Sequence, residues 1–433
     1  MYLGIDFGTT NTALAIADDA GDVTAAHFPN AGQRTSSFRS VLCFIEHDEH
    51  GRRSVETSAG PRAITDYLDY GSEARLIQSI KTFLSSAAFQ ETSVFGTRHT
   101  IEELIAILLR HLKAASHETL GALPSQVIAG RPVRFAGERA DDDLAVRRLY
   151  AAFKMAGFVD ISLAYEPLAA AYFYASTLDR PETCLIADFG GGTSDFSVVR
   201  FQPGPDGLTT SPLGHAGVGV AGDTFDYRIV QHIVCPLLGK HSYYRSFGKR
   251  LEVPKVYYTQ FERWHHLSML RTPRVLRDIR EIMRTSENPE ALLGLVHIIE
   301  EELGFHLYQA VNSTKVALSK SDDANFEFLF PPVEIACRIS RSDFETWIHD
   351  DLQTIERSML LALKNAGVEE KQISQVFMTG GTSLVPAVRR LFERRFGRDR
   401  LIHGDEFSSI AAGLALLHRA KAHPKLDGLD LVN

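Results

Sequence analysis

Two stretches of the sequence carry the same pattern of apolar and small residues, and each predicts a β-hairpin. In the first, an apolar run at 2–5 leads into Asp-Phe-Gly-Thr-Thr-Asn-Thr at 6–12 and a second apolar run at 13–17. In the other, the run at 184–187 leads into Asp-Phe-Gly-Gly-Gly-Thr-Ser-Asp at 188–195 and a run at 196–199. Apolar runs flanking a turn of Gly, Thr and Asp are typical of hairpins. The small tips leave N–H groups and hydroxyls free to donate hydrogen bonds, and the matched pattern indicates that one half of the molecule repeats the other.

The remaining pattern alternates helices with short strands. Apolar residues recur with a helical period over 101–120, and a helix over 144–156 ends at Gly157, a residue that favours helix C-termini. The recurring order of hairpin, strand, helix, strand and helix predicts an α/β fold with glycine-rich turns at strand ends, where open α/β sheets bind ligands. The other predicted elements are strands at 124–129, 161–165 and 376–378, and helices at 167–175, 305–319, 341–366, 386–396 and 408–420.

Three segments have weaker patterns. Residues 74–84 are amphipathic, and we expect them to be partly helical. Residues 215–223 form a glycine-rich loop that leads into a helix at 225–234. Residues 236–305 are rich in Arg, His, Glu and Leu with little strand signal, which predicts an inserted helical subdomain.

Composition and charge exclude some classes of function but do not identify one. A chain of 433 residues is too long for one core, and a net charge of −8 gives no reason to expect nucleic acid. The four cysteines and 17 histidines show no metal-ligand spacing, which favours a thiol-bearing cytoplasmic protein. No signal peptide or membrane-spanning stretch is evident.

The motifs together resemble the actin-like ATPase superfamily, and within it the nucleotide-binding domain of DnaK-type heat-shock chaperones. Residues 4–12 and 188–195 are similar to the two phosphate loops of that family, and Tyr-Glu-Pro-Leu-Ala-Ala-Ala at 165–171 is similar to its Asn-Glu-Pro-Thr-Ala-Ala-Ala stretch. Residues 217–226 resemble its glycine-rich segment, and 376–386 resemble its adenosine segment. No peptide-binding domain follows the last predicted helix, so we expect a protein near the shorter, YegD-like branch.

The resemblance implies a two-lobed actin-like ATPase fold, built from duplicated ribonuclease-H-like domains with inserted subdomains. Lobe I would cover 1–180, with an insertion at about 30–115, and would be completed by a C-terminal helix at about 404–421. Lobe II would cover 181–403, with the helical insertion at about 236–305.

The resemblance also implies ATP or ADP and Mg²⁺ as cofactors. Asp6 and Asp188 would hold Mg²⁺ through its waters, because magnesium sheds its hydration shell reluctantly. Lys81 would stabilise charge on the γ-phosphate and orient the attacking water, and Glu166 would hydrogen-bond either the attacking water or a magnesium-bound water. The alternatives are structural: Asp is common in hairpin tips, a lone Lys is often a solvated surface charge, and Glu favours a helix N-terminus.

The expected nucleotide contacts divide between phosphates and nucleoside. Thr193 is expected to donate to the β- and γ-phosphates and, like Asp188, to take part in catalysis. Lys315 and Ser319 share one helix face. The sequence departs from the family among the residues expected to contact the nucleoside, because Leu384, Phe407 and Asn312 replace the expected Arg, Asp and Glu. It also departs at the first hairpin, where Asn11 replaces a Tyr. The expected phosphate contacts are Gly8, Thr9, Thr10, Asn11, Gly190, Gly191, Gly192 and Thr193, and the expected nucleoside contacts are Gly219, Gly222, Asp223, Lys315, Ser319, Gly380, Gly381 and Thr382.

These observations predict a chaperone-like monomer that binds ATP and hydrolyses it slowly, with hydrolysis in the inter-lobe cleft driving lobe movement. Its expected partners are the nucleotide and a protein client or co-chaperone, with neither nucleic acid nor membrane. Two alternatives stay open: an actin-like small-molecule kinase of the sugar-kinase type, and a nucleotide-gated scaffold with little turnover. A protein kinase is excluded, because the His-Arg-Asp and Val-Ala-Ile-Lys motifs are missing.

Overall fold

The computed structural model describes residues 1–30, 33–49, 52–137, 140–175, 180–204, 207–261, 267–403 and 409–420. The chain forms two compact units, one of Met1–Gly222 with Gln353–Asn433 and one of Asp223–Leu352. This division does not test the lobe boundary expected near residue 180, which stays a prediction.

The strands, in chain order, are β1 (Tyr2–Phe7), β2 (Asn11–Ala17), β3 (Val23–Ala25), β4 (Phe28–Asn30), β5 (Gln33–Thr35), β6 (Phe38–Arg39), β7 (Val41–Glu49), β8 (Arg52–Ala59), β9 (Ala74–Gln78), β10 (Glu91–Val94), β11 (Thr97–Thr100), β12 (Gln126–Arg131), β13 (Asp160–Tyr165), β14 (Glu182–Phe189), β15 (Ser194–Gly204), β16 (Gly207–Val218), β17 (Tyr243–Ser246), β18 (Lys249–Glu252), β19 (Asp323–Phe330), β20 (Val333–Ser340), β21 (Gln375–Thr379) and β22 (Leu401–His403).

The helices are α1 (Pro61–Tyr70), α2 (Ile101–Leu120), α3 (Asp142–Met155), α4 (Glu166–Ala175), α5 (Gly222–Ile229), α6 (Cys235–Leu237), α7 (Lys255–Phe261), α8 (Leu267–Leu270), α9 (Pro273–Met283), α10 (Pro289–Glu300), α11 (Gly304–Lys320), α12 (Arg341–Trp347), α13 (His349–Ala366), α14 (Pro386–Phe396) and α15 (Ser409–Ala420).

Two mixed sheets in the first unit have the same topology. The first has the order β13-β12-β1-β2-β3, with β6 also paired to β2, and the second has the order β22-β21-β14-β15-β16. In each, an antiparallel three-strand meander begins with the strand that carries Asp6 or Asp188, and two parallel strands extend the sheet beyond it. The helices follow the same repeat, since α3 and α4 flank β13 along the chain as α14 and α15 flank β22. The predicted α/β fold class and its duplication are confirmed.

Helices α4 and α15 pack together and join the two sheets. A buried cluster combines Ile128 of the first sheet, Ile186 and Phe377 of the second, Ala169 of α4 and Leu414 of α15. The helices approach closely because their contact surfaces carry small residues. A Cβ on Gly4 of β1 would lie 2.2 Å from the carbonyl oxygen of Ala411, and a Cβ on Gly413 would lie 1.8 Å from that of Ala169.

Helix starts in the first unit follow local chemistry. Thr100 and Glu103 form a capping box at the start of α2, in which each side chain satisfies the backbone N–H of the other residue. The carboxylate of Asp141 accepts the N–H of Leu144 at the start of α3. Helices α2 and α3 pack against each other, and their apolar residues share a large core with strands of the first sheet.

The second unit contains two hairpins and several helices. Strands β19 and β20 pair along their whole length, and α11 packs on β19. The hydroxyl of Thr314 in α11 donates to the carbonyls of Ala310 and Asn325, which fixes the helix against the hairpin.

Several elements differ from the predictions in type or extent. Residues 74–78 form strand β9, because they pair with the edge of β7, and only 80–83 turn into a short 3-10 helix. The insertion at 236–305 is not wholly helical, because β17 and β18 form a hairpin through Phe247 (φ 45°) and Gly248 (φ 75°). The helix expected at 341–366 is two helices, and β16 extends to Val218, into the expected glycine-rich loop.

Gly413→Ala tests the close contact between α4 and α15. Alanine favours a helix over glycine by about 1 kcal/mol, but a Cβ placed 1.8 Å from the Ala169 carbonyl oxygen forces the helices apart. We expect a net loss of about 2 kcal/mol or more, seen as a melting temperature several degrees lower in calorimetry. Gly219→Ala is the control, because its Cβ would meet nothing within 4 Å. Equal melting temperatures for the two variants would contradict this packing.

Candidate functional site

The two predicted hairpins lie face to face within the first unit. Asp6 near the end of β1 pairs in register with Ala13, and Asp188 near the end of β14 pairs with Asp195. A Cβ on Gly192, at the tip of the second hairpin, would lie 3.9 Å from the hydroxyl oxygen of Thr9 at the tip of the first. The structure therefore brings together the two tips that the sequence pattern singled out.

Lys81 and Glu166 form a buried ion pair beside these hairpins. The Lys81 Nζ lies 2.6 Å from the Glu166 Oε1, although the two residues are 85 positions apart. Lys81 is 8% exposed and Glu166 is 6% exposed. Lys81 lies in the 3-10 turn that follows Ser79, whose φ of 53° places it in the left-handed region directly after β9. Glu166 is the first residue of α4, directly after β13. The alternative of a solvated surface lysine does not hold for Lys81.

Three buried aspartates, Asp6, Asp188 and Asp195, interact electrostatically with both members of the ion pair. Burial, with the nearby Glu166 carboxylate, raises the pKa of Asp6 to about 7, and Lys81 opposes that rise. The same two causes raise the pKa of Asp195 to about 7. Burial raises the pKa of Asp188 well above its usual value, and the charges of Glu166, Asp6 and Asp195 add to the rise. The three aspartates thus lie in a buried site with one lysine, and burial with the neighbouring negative charges favours their protonation unless a further cation is present.

Two glycines on the strands, Gly130 of β12 and Gly217 of β16, leave room for the carboxylate side chains of this cluster. A Cβ on Gly130, at the end of β12, would lie 2.9 Å from the Cγ of Glu166 and 3.5 Å from the Oδ1 of Asp6. Gly130 therefore allows the two carboxylate side chains to approach the backbone of β12. A Cβ on Gly217 would lie 2.5 Å from the Oδ1 of Asp195. That Oδ1 atom is buried and has no hydrogen-bond partner among the residues described.

The arrangement can hold a hydrated divalent cation. Among the described residues, no three His, Cys, Asp or Glu side chains converge as a direct metal-binding group. Mg²⁺ usually keeps several of its waters and binds proteins through few carboxylates. Asp6, Asp188 and the unpartnered Oδ1 of Asp195 are acceptors of the kind such waters need.

The hairpin tips are shaped by their own hydrogen bonds. The N–H of Gly190 donates to the carbonyl of Thr193 at 2.9 Å, which closes the second tip. The Thr193 hydroxyl hydrogen-bonds the Asp195 carboxylate and opposes the rise in its pKa. In the first tip, a Cβ on Gly8 would lie 2.1 Å from the Asn11 carbonyl oxygen. The Asn11 side-chain oxygen accepts a hydrogen bond from Arg39 at 3.2 Å, a contact that the sequence did not predict.

The first-unit residues expected around the nucleoside lie next to the second hairpin. Gly380 has a φ of 84°, and a Cβ there would lie 2.0 Å from the Phe189 carbonyl oxygen. The hydroxyl of Thr382 donates to the Gly190 carbonyl at 3.2 Å. Gly380 therefore needs to be glycine for two reasons, and the turn at 380–384 is tied to the predicted phosphate loop at 190.

The other expected nucleoside residues lie in the second unit. The Nζ of Lys315 lies 2.7 Å from the Oδ1 of Asp226, which is buried. The hydroxyl of Ser319 donates to the Lys315 carbonyl, and Asp223 lies in the first turn of α5. The Lys315 ammonium is thus an ion-pair partner rather than a freely solvated charge. The contact of these three residues with adenosine stays a prediction, as do the site roles assigned to the others.

Comparison with known proteins decides the family. The family model described as Hsp70 protein matches residues 73–243 and 300–423. The chain belongs to the Hsp70 family. It is also 26% identical, over 421 residues, to a protein named chaperone protein DnaK from Mycoplasmopsis synoviae (strain 53). That alignment covers 96% of this chain and 58% of the relative.

Membership of the Hsp70 family confirms the resemblance read from the motifs. It agrees with the similarity to the DnaK-type nucleotide-binding domain and with the actin-like α/β fold. The chain spans little more than half the length of its DnaK relative. Among the residues described, no helix is both long enough and apolar enough to cross a membrane.

The Asp195→Asn variant tests whether the raised pKa of Asp195 makes the stability of the fold depend on pH. An Asp whose pKa is about 7 in the folded protein and 3.8 when unfolded stabilises the fold fully below pH 3.8, and this contribution is lost as pH rises through 7. The amide cannot ionise, so in EDTA the variant should gain on the order of 2 kcal/mol relative to wild type between pH 5 and pH 8. Thermal unfolding at both pH values measures this gain.

The matched control for this experiment is Asp19→Asn, which makes the same change at an exposed turn. We expect the control to follow wild type at both pH values. A pH-independent difference between Asp195→Asn and wild type would show that Asp195 does not carry the expected proton.

Proposed function

We propose that this Hsp70-family chain binds Mg·ATP between its two hairpins and hydrolyses it slowly by direct attack of water on the γ-phosphate. The observation that carries the proposal is the buried Lys81–Glu166 pair, 2.6 Å apart, next to three aspartates with raised pKa values. A set of four carboxylates and one lysine is costly to bury unless a further cation balances it, and such a cation would also bind the phosphates. Hydrolysis needs mainly positioning and charge neutralisation. The Lys81 ammonium and a bound cation would supply the neutralisation, and the carboxylates would position the cation and the water.

Each side chain has a proposed role. Lys81 would neutralise charge on the γ-phosphate, and Glu166 would accept a hydrogen bond from the attacking water and orient it. Asp6 and Asp188 would hold Mg²⁺ through its waters, and the free Oδ1 of Asp195 adds one more acceptor. Bound Mg²⁺ would supply charge neutralisation at the phosphates. The N–H groups at 8–11 and 190–193 would donate to the phosphate oxygens.

The biological role that we propose is chaperone-like. Hydrolysis would remove the γ-phosphate contacts of both hairpins and so change how they are held together, which is how nucleotide state becomes a signal to a partner. The name of the DnaK relative supports a client or co-chaperone as that partner. This part of the proposal is inferred from the family and is separate from the chemistry of the site.

The chemistry is tested by phosphate release and ATP titration. Lys81→Ala should lower the single-turnover rate of phosphate release by roughly 100-fold or more, because it removes the buried cation next to the reacting phosphate. Asp188→Asn should abolish the Mg²⁺ dependence of ATP binding measured by isothermal titration. The controls are Lys154→Ala and Asp19→Asn, which make the same changes at exposed positions and should match wild type.

The possible outcomes separate the alternatives. Unchanged release by Lys81→Ala and Asp188→Asn would overturn the site assignment. Tight ATP binding by wild type without phosphate release would favour the nucleotide-gated scaffold. Phosphate transfer to an added sugar at a rate well above hydrolysis would favour the small-molecule kinase.

Leu384→Arg tests the altered base site. Leu384 is 45% exposed and lies in the turn that Thr382 ties to the second hairpin. An arginine stacked on a purine base contributes about 1 kcal/mol through cation–π attraction. We therefore expect ATP affinity in titration to rise roughly fivefold. Leu361→Arg, at another exposed leucine, is the control. An equal change in both variants would mean that residue 384 does not face the base.

A further inference from the structure

The buried side chain of Arg148 on α3 donates hydrogen bonds to backbone carbonyls of the segment that follows Lys81. It is 8% exposed. Its Nη1 lies 3.4, 3.1 and 3.0 Å from the carbonyl oxygens of Phe83, Leu84 and Ser86, and its Nη2 donates to that of Phe89 at 2.9 Å. Its Nε lies 3.5 Å from Glu102 on α2. One guanidinium thus holds four backbone carbonyls of a segment that forms no helix or strand after residue 83.

Leu84 connects this clamp directly to Lys81. Its N–H donates to the Lys81 carbonyl at 3.2 Å, while its own carbonyl accepts from Arg148 at 3.1 Å. Two consecutive hydrogen bonds therefore link the guanidinium to the backbone of the lysine. The other end of the 3-10 turn is fixed where Thr82 donates to the Ser79 carbonyl at 3.0 Å.

We propose that Arg148 is a positioning residue that holds the backbone of Lys81 so that its ammonium meets Glu166 and the reacting phosphate. The proposal rests on the proposed ATPase function, and it adds a residue that no sequence motif indicated. Arg148 acts through Lys81 and does not touch the substrate. Its contribution belongs to the rate of the chemical step, since displacing a reacting group by about 1 Å can cost roughly 100-fold in rate.

The planar guanidinium explains why arginine is needed here. It offers five N–H donors in a rigid fork, whereas the lysine ammonium offers three donors from one point. A lysine at this position keeps the charge but cannot reach the carbonyls of Leu84 and Phe89 and the Glu102 carboxylate together. Removing the charge would leave buried carbonyls without donors and endanger folding. Arg148→Lys is therefore the informative substitution.

The first experiment measures kcat and KM for ATP hydrolysis. Arg148→Lys should lower kcat roughly tenfold, with KM changed less than about threefold, because the phosphates keep their backbone donors while Lys81 loses its fixed position. Arg147→Lys is the matched control, since Arg147 is the exposed neighbour on the same helix and should behave as wild type. A lower melting temperature with unchanged kcat would overturn the proposal and leave Arg148 a purely structural residue.

A double-mutant cycle shows whether Arg148 acts through Lys81. In the Lys81→Ala background, Arg148→Lys should change kcat less than about twofold, because the group that it positions is gone. A full tenfold effect in that background would show that Arg148 acts independently of the lysine.

A turnover-free measurement separates this proposal from the ATPase itself. Acetylation of Lys81 by an amine-selective reagent, followed by peptide mass spectrometry well below the melting temperature, should be several-fold faster in Arg148→Lys than in wild type or Arg147→Lys. Lys315, paired with Asp226 in the second unit, reports general unfolding and should stay unchanged. If the wild-type protein does not hydrolyse ATP, the proposed ATPase function is wrong, and so is the proposed effect of Arg148 on its rate. Equal Lys81 labelling in all three proteins would end the positioning itself.

Discussion

The buried ion pair of Lys81 and Glu166 is the constraint on which the rest of the site depends. Both groups are withdrawn from water, and three aspartates add negative charge that one ammonium cannot balance. Burying unbalanced charge destabilises a fold. A protein that keeps such a set attracts cations at that point, and burial together with the Glu166 charge raises the pKa of Asp6 and of Asp195 to about 7 for the same reason. The same imbalance that weakens the isolated protein therefore favours a bound divalent cation, through which a phosphate-bearing ligand would be held.

The duplicated topology explains how the carboxylates come together. Each sheet begins with a meander whose first strand carries an aspartate near its end, and the tips of the two hairpins meet at Gly192 and Thr9. The copies are not equivalent, since Asp188 pairs with Asp195 where Asp6 pairs with Ala13. The extra carboxylate makes the second hairpin the more acidic one, while the first lies next to Glu166 through Gly130. The two related hairpins therefore contribute different groups to the cluster: two aspartates from the second, and one aspartate beside Glu166 from the first.

The sequence predicted what depends on local pattern and missed what depends on distant partners. The first hairpin, strand β14 and the helices α2 and α14 were predicted within a residue or two, because periodicity and turn residues define them, whereas β15 extends five residues beyond the predicted run. Strand β9 was missed because only its pairing with β7 makes it a strand. Lys81 and Glu166 were named from the family resemblance, but their contact could not be read from residues 85 positions apart. Gly130 and Arg148 carry no motif, so only the packing around them shows what they do.

The two sides of the site are held by one connected set of loops. Arg148 fixes the turn after Lys81 through Leu84. In the same segment, the Ser85 hydroxyl donates to the Ala136 carbonyl at 2.6 Å, two residues beyond Arg134, whose backbone N–H hydrogen-bonds Asp195. A shift in residues 83–89 would therefore move the lysine and, through 134–136, disturb an aspartate of the second hairpin. Precise placement of charge in this cluster depends on backbone hydrogen bonds outside it, which is why matching the motif residues alone does not determine the activity of a divergent family member.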